Sequence, residues 1–117
     1  MNILIADNIQ DLAESLKEIL LNKGHAVDTA FNGKQAMEYL QMKHYDMVFL
    51  DHDMPEVTGL EVLKHIRANK IASRVVMITG YPNVPDFFAK TLGADEFLSK
   101  PFTFEQILQI VEKYNPT

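Results

Sequence analysis

Four consecutive apolar residues, Met47 to Leu50, run directly into the carboxylate of Asp51. An unbroken apolar run this short suits a strand buried on both faces, as in a parallel sheet covered by helices. Asp51 then sits at the carboxyl end of its strand, where open α/β sheets place their ligands. Asp53 adds an acid two residues on, and Pro55 stops the strand.

The pattern recurs along the chain. Ile3-Leu4-Ile5-Ala6 is a second short apolar run that ends in an acid, Asp7, followed by Asn8. Ile9, Leu12, Leu16, Ile19 and Leu20 then recur at helical spacing, and Gly24 falls just past the last turn. His25 to Ala30 reads as a strand. Asn32-Gly33 offers a cap for a helix that carries Ala36, Met37 and Leu40 and runs to about Lys43.

After Pro55, Leu60, Leu63 and Ile66 form a helical stripe ending near Lys70, with Gly59 near its start, where it permits close backbone approach. Arg74 to Thr79 is a fourth strand, ending in a hydroxyl and followed by Gly80. Tyr81 to Pro85 reads as loop. Pro85 suits the first position of a short helix carrying Phe87, Phe88 and Leu92 and ending at Gly93. Glu96 to Ser99 is a fifth strand that runs into Lys100-Pro101. The last helix starts at Thr103, with Phe104, Ile107, Leu108 and Val111 on one face. Five strands alternating with five helices predict right-handed βαβ crossovers and a parallel sheet with helices on both faces.

At 117 residues the chain is expected to form one domain, 1–117, with a single core. No apolar run approaches the ~20 residues of a membrane span. The N-terminus has neither a basic leader nor a small-residue cleavage site, so no signal peptide is expected. The absence of cysteine excludes a disulfide framework and a thiolate metal site. These features fit a cytoplasmic protein with no membrane partner. A net charge of −5 without a Lys/Arg cluster argues against direct nucleic-acid binding by this chain.

Asp7, Asp51, Thr79 and Lys100 all fall at strand ends, and a parallel sheet brings them to one edge. Acidic oxygens there suit a hard divalent cation, and Mg²⁺ usually takes one or two carboxylates plus water and phosphate. A lysine and a hydroxyl beside them suit phosphoryl oxygens, and an aspartate carboxylate is itself a competent phosphoryl acceptor. Taken singly, each has an ordinary explanation: Asp7 a helix cap, Asp53 a turn residue, Thr79 a strand end, Lys100 a solvated charge. Their joint arrangement carries the functional reading. With no Gly-rich phosphate loop, a nucleotide site is not expected.

The chain resembles the receiver domains of two-component response regulators, including chemotaxis-regulator-like ones, over essentially its whole length. The matching pieces are Ile3 to Asp7, Tyr45 to Asp51 with Met54-Pro55 and Gly59, Val76 to Gly80, and Gly93 to Phe102. The resemblance implies a flavodoxin-like (βα)5 fold, a doubly wound parallel five-stranded sheet of order 2-1-3-4-5. It implies that Asp51 is the phosphoacceptor, taking phosphate from the phosphohistidine of a sensor histidine kinase or phosphotransfer protein. Asp7, Asn8, Asp51 and the backbone carbonyl of Asp53 would hold Mg²⁺. Thr79 and Lys100 would bind phosphoryl oxygens, and Phe97 would change rotamer when Thr79 moves. The Lys100-Pro101 bond would be cis. Ile9 and Ala13 on the first helix would mark the kinase-docking side. A downstream protein would read the face of the fourth helix, fifth strand and fifth helix, with Phe87, Ile110 and Tyr114 exposed on it. The chain would be a monomer or weak homodimer, with no catalysis beyond its own phosphorylation and dephosphorylation.

Several positions depart from the family pattern. Asn8 stands where a second adjacent acid is usual, which predicts weakened Mg²⁺ binding. Asp53 faces the site and would compensate in part, or would orient or repel attacking water. Phe97 lacks the hydroxyl of the tyrosine often found there, and His52 should point away from the acids by strand alternation. Two prolines in 81–85 alter the entry to the fourth helix or are simple loop variation. No DNA-binding or catalytic domain is expected after the last helix. Two function classes follow: a phosphorylatable switch, stand-alone or part of a longer regulator, and a phosphorylation-independent interaction module with an impaired metal site.

Overall fold

The computed structural model describes residues 1–80 and 93–115. Its elements are β1 (Asn2–Ala6), α1 (Gln10–Asn22), β2 (Ala26–Ala30), α2 (Gly33–Met42), β3 (Met47–Asp51), α3 (Gly59–Ala68), β4 (Arg74–Thr79), β5 (Glu96–Ser99) and α4 (Phe104–Tyr114). The strands form one parallel sheet of order β2-β1-β3-β4-β5. This α/β, flavodoxin-like arrangement is the one expected. The helix expected at 85–92, with Phe87, Phe88 and Leu92, lies outside the described residues, as do the 81–85 loop and its prolines.

The central strands are apolar because both of their faces are covered. All of β3 is buried, and alternate side chains enter two cores. Leu4, Val48, Leu50, Val75 and Met77 pack with Ala36 and Leu40 of α2 and Val62, Leu63 and Ile66 of α3. Ile3, Ile5, Met47, Phe49, Val76 and Ile78 pack with Ala13, Leu16 and Leu20 of α1 and Ile107 and Val111 of α4. Each face removes large aliphatic side chains from water, at roughly 1.5–3 kcal/mol apiece. Among the described residues no helix is long and apolar enough to cross a membrane.

The caps are written into the sequence. Asn32, Thr58 and Thr103 accept from the backbone N–H groups of Gln35, Glu61 and Gln106, and Thr103 with Gln106 completes a capping box. Gly24 takes φ +90 after α1, and its N–H donates to Leu21 O at 3.0 Å.

Four expectations need correction. Phe104 and Ile9, read as stripe residues, are 42% and 48% exposed. Phe104 is the first residue of its helix and Ile9 the extended residue before one. Side chains on a helix lean toward its N-terminus, so at these positions they project past the core rather than onto it. Ile110 and Tyr114, expected on an exposed face, are half-buried against the second core. Tyr114 also lies under Arg74 and Lys113, at 5.2 and 5.3 Å from its ring centre.

Candidate functional site

The parallel register brings the strand ends together. Ala6 pairs with Leu50, Asp51 with Ile78 and Thr79 with Ser99, so Asp7, Asp51, Thr79 and Lys100 emerge at one sheet edge. Pairing continues past the strands: His52 N–H donates to Ile78 O at 2.8 Å and Lys100 N–H to Thr79 O at 2.9 Å. The Lys100-Pro101 peptide is cis, as expected. Gly59 brings the start of α3 against the backbone of Asp51 and His52. A Cβ there would lie 2.7 Å from the Asp51 carbonyl oxygen, so only glycine fits without a shift.

Asp51 is fully buried, yet both carboxylate oxygens are bonded. Lys100 Nζ donates to Oδ2 at 2.8 Å, and the Asp53 backbone N–H donates to Oδ1 at 3.0 Å. A buried carboxylate in an ion pair with a remaining oxygen hydrogen-bonded meets the condition for a stable buried charge. Burial lowers the Lys100 pKa, but its hydrogen bond to Asp51 and the charges of Asp51, Asp7 and Asp53 outweigh it. The net shift is upward and the ammonium is retained.

Asp7 is equally deep, at 1% exposed. Its Oδ1 accepts from the N–H of Ile9, the residue that precedes α1, at 2.8 Å; this is a local turn bond and not a helix cap. Its Oδ2 is buried with no hydrogen-bond partner. Burial pushes the Asp7 pKa up to about 6, the Ile9 N–H opposes this, and the neighbouring Asp51 charge adds to it. An orphaned carboxylate oxygen beside a second carboxylate is a donor set that fits a hard divalent cation. The set is lean: Asn8 is exposed and neutral, and no group of three His, Cys, Asp or Glu is gathered among the described residues.

Asp53 is half-buried and does not join Asp7. Its Oδ2 accepts a long hydrogen bond, 3.4 Å, from the Gly80 N–H. Gly80 faces this group closely: a Cβ on it would lie 3.6 Å from Asp53 Oδ2 and 3.8 Å from Lys100 Cδ. The Gly80 amide is the site group that sequence reasoning missed. Its signal was available, since it follows Thr79 at the same sheet edge. Thr79 itself is 2% exposed, at the end of β4. Phe97 lies half-buried in β5 opposite Met77 and packs against the first core, away from full exposure. His52 is half-buried between the two acids in sequence.

Chemically, the edge holds a buried carboxylate, a lysine on it, a second carboxylate with an open oxygen, and backbone amides. Comparison with known proteins places the chain in a family. Residues 3–112 match the response regulator receiver domain family. The chain is 33% identical over 109 residues to the transcriptional regulatory protein DltR of Streptococcus agalactiae, covering 92% of this chain and 49% of that protein. It spans about half the length of the curated relatives it matches. The receiver domain of a Francisella response regulator superposes with a TM-score of 0.92 at 25% identity, covering 97% of this chain and 94% of that one. The response regulator TrrA of Thermotoga maritima, solved in complex with Mg²⁺ and BeF, superposes with a TM-score of 0.86 at 34% identity over 97% of this chain and 98% of its own. With the strand order, the buried acids and the sequence match in agreement, the chain belongs to the response regulator receiver domains of two-component signalling.

Proposed function

We propose that Asp51 accepts a phosphoryl group from the phosphohistidine of a sensor histidine kinase or phosphotransfer protein. One observation carries this reading: Lys100 Nζ sits 2.8 Å from an oxygen of a fully buried aspartate at the sheet edge. In the transfer, an Asp51 oxygen forms a bond to phosphorus as the bond from phosphorus to the donor imidazole nitrogen breaks. The imidazole leaves with the electron pair and takes up a proton. Lys100 turns from the carboxylate to a phosphoryl oxygen, and the Thr79 hydroxyl donates to another. Lys100 needs little travel, because both anions occupy the same edge.

Asp7, Asp51, the Asn8 side-chain carbonyl and the Asp53 backbone carbonyl would hold Mg²⁺, with Asp7 Oδ2 the open oxygen that favours it. When bound, Mg²⁺ neutralises charge on the transferring group. TrrA, solved in complex with Mg²⁺ and BeF, supports this reading. Hydrolysis of the acyl phosphate returns Asp51 to its carboxylate. No other substrate is turned over.

The signal leaves through surface contacts. Movement of Thr79 toward the phosphoryl group frees space for Phe97 to change rotamer, which alters the face of β5 and α4 for a downstream protein. The chain is read as one receiver domain, 1–117, cytoplasmic, monomeric or weakly dimeric. Gene control of the kind named for DltR would lie with what the signal reaches, since this chain carries net charge −5. The phosphorylation-independent alternative has only Asn8 in its favour.

The test is incubation with Mg²⁺ and acetyl phosphate, with the acyl phosphate followed by mass and by its lability to hydroxylamine. Wild type should label and Asp51→Asn should not. No label on wild type, or equal label on both, overturns the assignment.

A further inference from the structure

We propose that the Asp53 carboxylate is a built-in competitor for the phosphoryl site, an internal anion that holds the Gly80 amide until Asp51 is phosphorylated. The inference rests on the reading of Asp51 as phosphoacceptor. It starts from the donors at the sheet edge, whose partners are already carboxylates. Lys100 Nζ and the Asp53 N–H serve the two oxygens of Asp51. The Gly80 N–H serves Asp53 Oδ2. Asp53 also adds to the field that raises Lys100. A phosphoryl group on Asp51 brings further oxygens and negative charge into this space, and the Gly80 amide and Lys100 are the groups able to receive them. Asp53 must give up the Gly80 amide, and Lys100 must turn from Asp51.

The backbone of Asp53 cannot drift away at rest. Its own N–H is tied to Asp51 Oδ1. Met54, the next residue, is buried at 5% exposure and its N–H donates to His52 O at 3.0 Å. Only the Asp53 side chain is free to turn, and the exposed side of Gly80 is open to solvent. The opposing use of Asp53, as replacement for the acid missing at Asn8, would need its carboxylate beside Asp7. Its carboxylate contacts Gly80, and Asp53 is not among the charges that shift Asp7.

The experiment is a titration of the whole chain with beryllium trifluoride at saturating Mg²⁺, followed by the Gly80 amide resonance, for wild type, Asp53→Asn, Asp53→Ala and Asp51→Asn. Asn preserves shape and an acceptor while removing the charge. Both Asp53 variants should bind about twofold to fivefold more tightly than wild type, the range of a partly exposed charge. The ligand-free Gly80 resonance of Asp53→Ala should already differ from wild type. Equal or weaker binding by both variants, or an unchanged Gly80 resonance in Asp53→Ala, overturns the inference while leaving Asp51 in place. Wild type that binds no beryllium trifluoride, or Asp51→Asn that binds it equally, overturns the phosphoacceptor reading and this inference with it.

Discussion

Asp7→Asn should make the metal-free protein more stable. Asp7 is buried, its Oδ2 has no partner, and the Asp51 charge faces it. Burial, followed by that charge, lifts its pKa from 3.8 to about 6. At roughly 1.4 kcal/mol per pKa unit, keeping this carboxylate ionised costs the folded state about 2–3 kcal/mol at pH 7. The sign follows from proton binding. The folded chain holds the proton more tightly than the unfolded chain, so the penalty is absent below about pH 4 and grows as pH rises to about 6, then stays level. Asn keeps the acceptor for the Ile9 N–H and puts an amide donor beside Asp51. The variant should gain about 2–3 kcal/mol at pH 7, or about 8–12 °C in Tm for a domain of this size. Urea or thermal unfolding in EDTA at pH 4, 5, 6 and 7 measures the gap, which should close toward pH 4. An Asp7→Asn protein no more stable than wild type at pH 7, or a gap independent of pH, refutes the account of this carboxylate.

Asn8→Asp should tighten Mg²⁺ binding on the order of tenfold by restoring one ligand charge, measured by metal titration; unchanged affinity would show that this position does not see the ion. Gly59→Ala would put a methyl 2.7 Å from the Asp51 carbonyl oxygen. It should cost about 1–3 kcal/mol in urea and slow Asp51 labelling, while wild-type values for both would contradict the close approach. Arg67→Met removes hydrogen bonds to Gly93 O (2.9 Å), Ser73 O (3.0 Å) and Asp95 Oδ2 (2.9 Å) that tie α3 to β4 and the entry of β5. A loss of about 2–3 kcal/mol is expected in urea unfolding, with labelling of Asp51 retained because the cluster lies at the far end of the strands from Asp51.

The strands were legible because each apolar run ends abruptly in a polar residue. β4 and β5 begin and end where the pattern places them, at Arg74–Thr79 and Glu96–Ser99. The helix faces were legible in mid-helix, at Leu16, Leu40, Leu63 and Ile107, and failed at the starts, Ile9 and Phe104. Periodicity counts residues along a helix but does not know where the sheet beneath it stops. The site divides in the same way. Topology alone brings Asp7, Asp51, Thr79 and Lys100 to one edge, so chain order was enough to find them. The direction of Asp53 and the open oxygen of Asp7 depend on rotamers and packing depth, which spacing does not encode.

The two departures at the site belong together. A receiver edge must tolerate its own carboxylates when neither cation nor phosphate is present, and here, among the described residues, Lys100 answers Asp7, Asp51 and Asp53. Asn8 removes one charge from the cation side, which spares the resting protein repulsion next to the carboxylate already pushed up to about 6. Asp53 adds a charge against Gly80 and in the field of Lys100, where a phosphoryl group would enter. Relative to two adjacent acids, the negative charge is shifted from the metal toward the anion. Such a site should hold its cation more loosely and resist premature anion entry, so that phosphorylation depends more on a donor protein that delivers the phosphoryl group in place. The comparison that tests this is Asn8→Asp combined with Asp53→Asn: the double variant should respond to acetyl phosphate more readily than either single variant. If it labels no faster than Asn8→Asp alone, Asp53 does not restrain anion entry and the charge has not been moved from one role to the other.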